Sequence, residues 1–397
     1  MYTMEKYRHV IEAVRKDTNY LTKIENGVHP DEVLREAIAT LSKYTKTPIS
    51  SESVPLPIIA FEAAAVEILV NTSDWGKQLL SEVMWEYSSA RSINPQASVD
   101  AISKLNSEML KSESEFYSLA LLEHPKDSLS NEELRVEIFR NIGDLIESSI
   151  KPLLRGLLCQ VRIRRNRDFS FETVRKLSLG NVVQELSDTL RMPALVAPPP
   201  FCIRLNHWRN IAKHHDSYCE GKTVVCEYLE GGSTQTVRLA REDLFNLMSR
   251  TMELLTALRV GRSLTVVEYL NETKFVGNEI TFSDVRPEIV LLQFATGLAC
   301  LGFETVDFSV SSSSVRLKLK DVVPNSPYRD RMLISAQTIY PLWSIFPREL
   351  LEVTYLDCKN REFLTSKTTG QDCIKVKEGA ITLSELLSSI DFCFPAD

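Results

Sequence analysis

The chain has 397 residues, of which 44% are hydrophobic and 25% are charged, and its formal net charge is −7. This length exceeds what one hydrophobic core usually holds, so we expect two or three domains of a globular protein. Glycine is scarce, at 14 residues. The composition therefore disfavours an architecture built on glycine-rich phosphate-binding loops.

The apolar segments and the cysteines predict a cytoplasmic protein with no membrane partner. The most apolar stretch, residues 55–70, is interrupted by Glu62 and Glu67 and is shorter than the roughly 20 residues that cross a bilayer. Residues 1–17 are charged throughout and lack the apolar core of a secretory signal. The 8 cysteines include no C-x-x-C pair, which is typical of thiols in a reducing compartment.

Residues 1–130 are predicted to form a helical N-terminal region. Within residues 29–44, Val33, Ala37 and Leu41 recur at helical spacing, and acidic residues occupy the first turn. Further helical patterns follow, separated by turn sequences. Nothing in this region indicates a chemistry.

Residues 131–258 are predicted to form a helical domain that carries a β-hairpin. The stretch Ser130-Asn131-Glu132-Glu133 indicates a helix start, and a long apolar stripe follows it. Three consecutive prolines at 198–200 interrupt the helical pattern, which residues 201–218 resume. The sequence LEGGS between TVVCEY and TQTVRLA predicts the hairpin, and a closing helix follows it.

Residues 263–397 change character and are predicted to form an α+β domain. The segment LTVVEYL at 264–270 indicates a strand, and TVDFSV and VRLKLKD indicate a hairpin on either side of SSSS. The predicted order β-α-β-β-α-β is typical of a split βαβ sandwich. The expected fold class is therefore mainly α with a C-terminal α+β domain.

The charge is distributed unevenly along the chain. Between Lys151 and His214 there are 12 lysines and arginines against 4 acidic residues, a local net charge of +8, which leaves −15 on the rest. Such a zone suits a polyanion that binds at one place. The alternative is a solvated face whose cations pair with acids elsewhere in the chain.

The strongest chemical signal is the stretch WRNIAKHH at residues 208–215. An arginine followed by a polar residue, with a histidine five positions on near a helix end, resembles the signature of the HEPN superfamily. The stretch LGNVV at 179–183 and the hairpin after the motif are similar to the surroundings of the motif in that family. The resemblance covers about residues 131–258 and implies a HEPN-like helical bundle there.

The resemblance implies a metal-independent endoribonuclease without a cofactor. In this chemistry a ribose 2′-hydroxyl loses its proton, attacks the adjacent phosphate and leaves a 2′,3′-cyclic phosphate. Histidine suits the proton transfer near neutral pH, and arginine offers the phosphate a permanent forked donor. These roles fall to His214 and Arg209, with Asn210 in support. His215 also fits the spacing, and Lys213 departs from the small residue that often precedes the motif histidine.

A homodimer is expected from the same resemblance. Five residues of an ideal helix leave the Arg209 and His214 side chains roughly 140° apart. They converge if the helix ends or distorts near Lys213, if the arginine swings round, or if the motifs of two copies face one cleft, as HEPN modules usually arrange them. The resemblance also implies a prokaryotic toxin or antiviral defence effector, with an inhibitor or sensor partner. Residues 263–397 are the candidate sensor domain.

The expected macromolecular partner is RNA, held along the basic segment. The residues predicted to bind its backbone are Arg162, Arg164, Arg165, Arg167, Arg204 and Lys213. Trp208 is predicted to be a core residue more than a platform for base stacking.

Alternatives to catalysis remain open. A HEPN-like module without activity would serve as a dimerisation or RNA-binding scaffold. A further alternative is an interaction protein whose helical resemblance is accidental. Arg209 is in that case a structural ion-pair partner, and His214 is a residue favoured by the helix C-terminal dipole. A zinc site of His214, His215, Cys219 and Cys226 is disfavoured, because the spacing matches no standard finger.

Overall fold

The computed structural model describes residues 18–49, 54–105, 129–270, 287–324 and 327–395, together with isolated positions before residue 18 and between 106 and 128. The end of the predicted N-terminal helical region therefore lies mostly outside the described residues. Among the described residues, no helix combines the length and the apolar character that crossing a membrane requires.

Helices dominate the described chain, and the strands form two separate sheets. The helices are α1 (Tyr20–Glu25), α2 (Pro30–Ser42), α3 (Leu56–Thr72), α4 (Asp74–Ile93), α5 (Pro95–Lys104), α6 (Asn131–Asp144), a π-helix (Leu145–Ile150), α7 (Lys151–Arg164), α8 (Phe171–Arg175), α9 (Leu179–Thr189), α10 (Leu205–His214), α11 (Arg241–Leu270), α12 (Pro287–Cys300), α13 (Tyr328–Gln337), α14 (Ile339–Ile345), α15 (Gly370–Lys377) and α16 (Leu383–Ser389). The strands are β1 (Ser217–Glu220), β2 (Thr223–Glu230), β3 (Ser233–Leu239), β4 (Phe303–Val310), β5 (Ser314–Asp321), β6 (Leu350–Leu356), β7 (Glu362–Thr369) and β8 (Asp391–Cys393). The prediction of a mainly helical chain with a sheet-containing C-terminal part is confirmed.

The chain divides into two compact units that alternate along the sequence. One consists of residues 1–40, 50–64 and 285–397, and the other of residues 41–49 and 65–284. This differs from three consecutive parts, because much of the predicted N-terminal region groups with the C-terminal part. The reason is packing: a core of the first unit joins α1 and α2 to α12, with Tyr20, Ile24 and Val33 buried together with Ala295 and Ala299.

The first unit is built on a five-stranded sheet in the order β4-β5-β6-β7-β8. Strands β5 and β6 are parallel, joined by a crossover through α13 and α14, and the other neighbours are antiparallel. The predicted hairpin around SSSS is confirmed, with Val310 paired with Val315. The split βαβ sandwich was a wrong expectation, because every strand lies next to its neighbour in sequence and the expected first strand is helical.

Residues 264–270, predicted as a strand, are the last turns of α11. The β-branched residues there suggested a strand, but Leu264, Val267 and Glu268 are buried at the spacing of a helix face. The Thr265 hydroxyl also donates to the Gly261 carbonyl oxygen at 2.8 Å, one helical turn back. Burial against the second unit's own core therefore decides the conformation of this segment.

The second unit contains the motif and packs its helices closely. A Cβ at Gly143 of α6 would lie 3.0 Å from the Cβ of Ala212 on α10, so the glycine lets α6 approach the motif helix. The predicted hairpin is β2–β3. At its turn Gly231 has φ 59° and Gly232 has φ 83°, values that glycine adopts more easily than other residues. Strands β1, β2 and β3 form an antiparallel sheet beside α10.

Candidate functional site

The motif lies on α10, which forms because its apolar residues share one face. Leu205, Trp208, Ile211 and Ala212 are buried, and Trp208 stacks with Phe139 at a ring-centroid distance of 6.4 Å. Trp208 is thus a core residue, as predicted. The remaining residues of the helix form a polar face that contains Arg209, Asn210 and His214.

The helix ends at His214 because the next residue takes the left-handed conformation. His215 has φ 58° and ψ 32°, and its N–H donates to the Ile211 carbonyl oxygen. The N–H of Asp216 reaches the same oxygen at 3.2 Å. Such an αL residue closes many helices, although glycine is usual there. The helix is therefore regular across the whole span from Arg209 to His214.

Arg209 and Lys213 form one row of the polar face, four residues apart. The Nε of Arg209 lies 2.8 Å from Oε1 of Glu147, an ion pair whose angle falls outside that of a hydrogen bond. Lys213 Nζ lies 2.6 Å from Oδ1 of Asp144. Both acids precede α7, and Glu147 belongs to the π-helix, a local distortion often found at functional sites.

Glu147 is the centre of a small cationic cluster. Its Oε2 also accepts from Lys151 Nζ at 2.7 Å. Burial of the carboxyl opposes ionisation, but Lys151, Arg209 and Lys213 together lower the pKa of Glu147 below its usual value of 4.5. Three cations therefore surround two carboxylates, and the cluster keeps a surplus positive charge beside the motif.

Asn210 and His214 form a second row, again four residues apart. Asn210 is half-buried and His214 is exposed. Because five regular helical residues amount to about 500°, Arg209 and His214 lie roughly 140° apart around the axis. The helix neither ends nor distorts between the two residues, and the Arg209 side chain contacts Glu147. The two side chains therefore do not converge through either of these routes within one chain.

The residues predicted to bind the RNA backbone differ in what their side chains contact. Arg162 pairs with Glu185 through two bonds of 2.8 and 2.6 Å, and Arg164 pairs with the fully buried Glu86 at 2.7 and 3.1 Å. Both guanidiniums therefore serve internal ion pairs. For these two residues the structure agrees with the alternative interpretation, in which the cations of the basic segment pair with acids elsewhere in the chain.

The other predicted RNA-binding residues are more accessible. Arg165 is exposed and donates to the Thr189 carbonyl oxygen at 3.0 Å, and Arg204 donates to Gln184. Arg167 is exposed, and no side-chain partner for it occurs among the described residues. Arg165 and Arg167 line one open pocket of about 370 Å³ beside α9. The structure thus separates the six residues into internal partners and surface cations.

Sequence reasoning missed three residues of the site: Asp144, Glu147 and Asn206. The two acids come from α6 and the π-helix, about 65 residues before the motif, so their contacts depend on helix packing. Asn206 lies one turn before Asn210, and its Oδ1 is buried without a hydrogen-bond partner. Its spacing from Asn210 and His214 was the available signal, because residues four apart share a helix face.

Metal ligands do not gather at the motif. Within the described part of the chain, no group of three or more His, Cys, Asp or Glu side chains could hold a metal ion. Cys226 is buried in β2, whereas His214 and His215 are exposed. Burial raises the pKa of the Cys226 thiol to about 12.

Comparison with known proteins finds no family model, curated protein or solved structure that matches this chain. The resemblance to the HEPN superfamily therefore stays a prediction from the motif sequence.

Proposed function

We propose that this protein is a metal-independent endoribonuclease that acts through Arg209 and His214 of α10. The observation that carries the proposal is the layout of the motif helix. One row of the helix carries Asn210 and, one turn later, the exposed His214. The adjacent row carries Arg209, which belongs to the cluster of three cations and two acids. These are the groups that metal-free cleavage of RNA requires: an imidazole that can accept and return a proton, and fixed cations for the phosphate.

In the proposed reaction the imidazole of His214 removes the proton of a ribose 2′-hydroxyl. The 2′-oxygen then bonds to phosphorus, the bond from phosphorus to the 5′-oxygen breaks, and the 5′-oxygen leaves with the proton that the imidazolium of His214 returns to it. The guanidinium of Arg209 stabilises the charge that grows on the phosphate oxygens. Asn210, next to Arg209 and one turn before His214, orients the backbone with its amide.

The proposed active unit is a homodimer. Since Arg209 and His214 point about 140° apart on one regular helix, a single phosphate is reached by the arginine of one copy and the histidine of the other. A twofold axis beside α10 brings the two motifs to one cleft. A role as toxin or antiviral defence effector, with a sensor domain or inhibitor partner, follows from the HEPN resemblance and belongs to the same proposal.

The second candidate function is a scaffold that dimerises or binds RNA without cutting it. The observation in its favour is the ion pair between Arg209 and Glu147, which gives the guanidinium a structural partner at 2.8 Å. In that case the motif maintains packing between α10 and the π-helix, and its loss lowers stability without affecting any chemistry.

The deciding experiment incubates purified protein with total RNA in EDTA and analyses the product ends. We expect 2′,3′-cyclic phosphate ends, and loss of cleavage in Arg209→Ala and His214→Ala. Arg35→Ala and His29→Ala are matched controls, because both residues are exposed in the other unit. Cleavage that needs added Mg²⁺, or cleavage unaffected by the motif substitutions, contradicts the proposal.

Mixing the two inactive variants tests the shared cleft. A dimer of one Arg209→Ala chain and one His214→Ala chain has one composite site with both groups intact. Random exchange makes half of the dimers mixed, so about a quarter of the wild-type rate should return. No recovery after verified subunit exchange contradicts a site shared between copies.

A further inference from the structure

A cavity of about 290 Å³ lies beside the motif, where α6, the end of α10 and β1 meet. Its floor is apolar and consists of Val136, Phe139, Ile211 and Ala212, and its rim carries the basic residues Arg135, Arg140, Lys213 and His215. We propose that this cavity binds a nucleobase of single-stranded RNA next to the phosphate that is cut. This inference rests on the proposed function and assigns its substrate class.

The floor offers an apolar surface that water solvates poorly. Phe139 and Ile211 are buried beneath it, whereas Val136 is 50% exposed on the outer face of α6. An apolar side chain that borders a concave site is suited to cover the face of a base. A volume of about 290 Å³ is at the lower end for ligand pockets and fits one base better than a folded partner.

The rim is cationic, and no carboxylate lines the cavity. Arg140 and Lys213 pair with Glu137 and Asp144, but the Arg140 and Lys213 side chains are 55% and 42% exposed. Exposed ion pairs of this kind are weak, so the cations can turn to a phosphate. His215, which also belongs to the rim, adds an imidazole ring at the cavity mouth.

Arg135 gives the cavity a fixed wall. Its Nη1 donates to both the carbonyl oxygen and the hydroxyl of Ser217, each at 2.9 Å, which ties α6 to the start of β1. The site is therefore held by bonded elements instead of by loose side chains, and a base can enter with little reorganisation.

The cavity adjoins the proposed catalytic residue. Lys213 and His215 both line it and flank His214 in the chain, and consecutive Cα atoms are about 3.8 Å apart. A nucleotide whose base fills the cavity therefore places its sugar and phosphate near His214. Because a paired base cannot leave its stack freely, the geometry selects single-stranded RNA.

The test measures binding without cleavage, in the His214→Ala protein with EDTA. The probes are a fluorescein-labelled 12-nucleotide RNA and the same sugar–phosphate chain without bases. We expect the RNA to bind about tenfold more tightly than the abasic chain, the gain from one stacked base. In Val136→Trp, which fills the cavity, and Val136→Glu, which places a charge on its floor, this difference should disappear.

Leu229→Trp and Leu229→Glu are the matched controls, since Leu229 is an exposed apolar residue outside the cavity. Arg140→Glu should weaken both probes alike. Equal affinity of the His214→Ala protein for both probes overturns the inference, and so does a preference that survives both Val136 variants. Displacement of the RNA by an acidic peptide in a Val136-dependent manner also overturns it, in favour of a protein ligand.

Failure of this inference is distinguishable from failure of the proposed function. If the wild-type protein cuts RNA through Arg209 and His214 while Val136→Trp changes nothing, the cavity assignment alone is wrong. If base-dependent binding is lost in the Val136 variants but no cleavage occurs, the cavity binds a base and the protein is a scaffold.

Discussion

The Nε of Arg209 lies 2.8 Å from Oε1 of Glu147, so the motif arginine is tied to a π-helix that precedes it by about 60 residues. Glu147 also accepts from Lys151. The pair holds the guanidinium at the edge of the polar face of α10. An arginine positioned for catalysis and a purely structural arginine make the same contact in the free protein. Removal of the carboxylate should lower stability in both cases, but should slow RNA cleavage only in the first.

Glu147→Gln should lower the free energy of unfolding by about 1 kcal/mol at pH 7, because the amide cannot replace a charge-assisted contact with two cations. The pKa of Glu147 is lowered by its neighbours, so its contribution is present above 4.5 and is lost as pH falls through the folded-state pKa. The difference between wild type and variant in urea unfolding should therefore shrink as the pH falls below 4.5.

Glu378→Gln is the control, since Glu378 is exposed near the end of α15. If Arg209 is catalytic, Glu147→Gln should also slow RNA cleavage more than the change in stability explains. A variant as stable as the wild type at pH 7 would show that the contact contributes nothing to folding.

Local sequence signals predicted local structure well. The capping box of Ser130 and Glu133 starts α6, and the two glycines at 231–232 turn the β2–β3 hairpin, because both depend on neighbouring residues alone. The segment 264–270 was wrong because burial of a helix face outweighed its β-branched composition. The local sequence pattern shows the β-propensity of the segment but not the core against which its helix face is buried.

The basic segment shows what sequence could not supply. Its charge excess was countable, but the carboxylate of Glu86 that receives Arg164 lies 78 residues away in α4. Only the packing of α4 against α7 brings them together. Sequence therefore identified where the cations are concentrated, and not which of them remain available to a ligand.

Arg164→Gln and Arg167→Gln should separate these two kinds of cation. Glu86 is fully buried, and burial raises its pKa although Arg164 lowers it. Removing Arg164 strands that carboxylate and should cost about 3 kcal/mol of stability. Arg167→Gln should change stability by less than about 0.5 kcal/mol, since the residue is exposed.

RNA binding should show the reverse order. In filter binding across a salt series, Arg167→Gln should reduce the slope of log affinity against log salt by about 1. Arg164→Gln, compared at a temperature where it is folded, should leave that slope unchanged. A smaller slope for Arg164→Gln would place its guanidinium on the RNA and not on Glu86.

His207 should make the second unit less stable in mild acid. Its ring lies 5.0 Å from that of Tyr228, and burial, reinforced by Arg204 and opposed by Glu230, lowers the pKa of His207 below 6.5. The unfolded chain then binds the proton more readily, so stability is highest above pH 6.5 and falls as the pH drops through that value.

His207→Gln should remove this dependence between pH 5 and pH 7, measured as urea midpoints, with His29→Gln as the exposed control. A wild-type profile that His207→Gln leaves unchanged would assign the acid sensitivity to another group.

His215→Gly should stabilise the protein and at the same time decide which histidine acts. With φ 58°, His215 occupies a conformation that costs an L-residue about 1–2 kcal/mol and glycine very little. After the entropy that glycine loses on folding, a net gain of about 0.5 kcal/mol is expected in urea unfolding. His215→Ala keeps the strain and should show no gain.

The two variants remove the same imidazole, but only His215→Gly relieves the strain of the backbone. If His214 is the base, both should keep cleavage within a few-fold of wild type, whereas His214→Ala abolishes it. If both lose cleavage while His215→Gly is the more stable, the proton transfer belongs to His215, because strain cannot explain an equal loss. The αL residue at the end of α10 would then be a reactive group held at the cavity mouth, and its strained backbone would be the cost of placing it there.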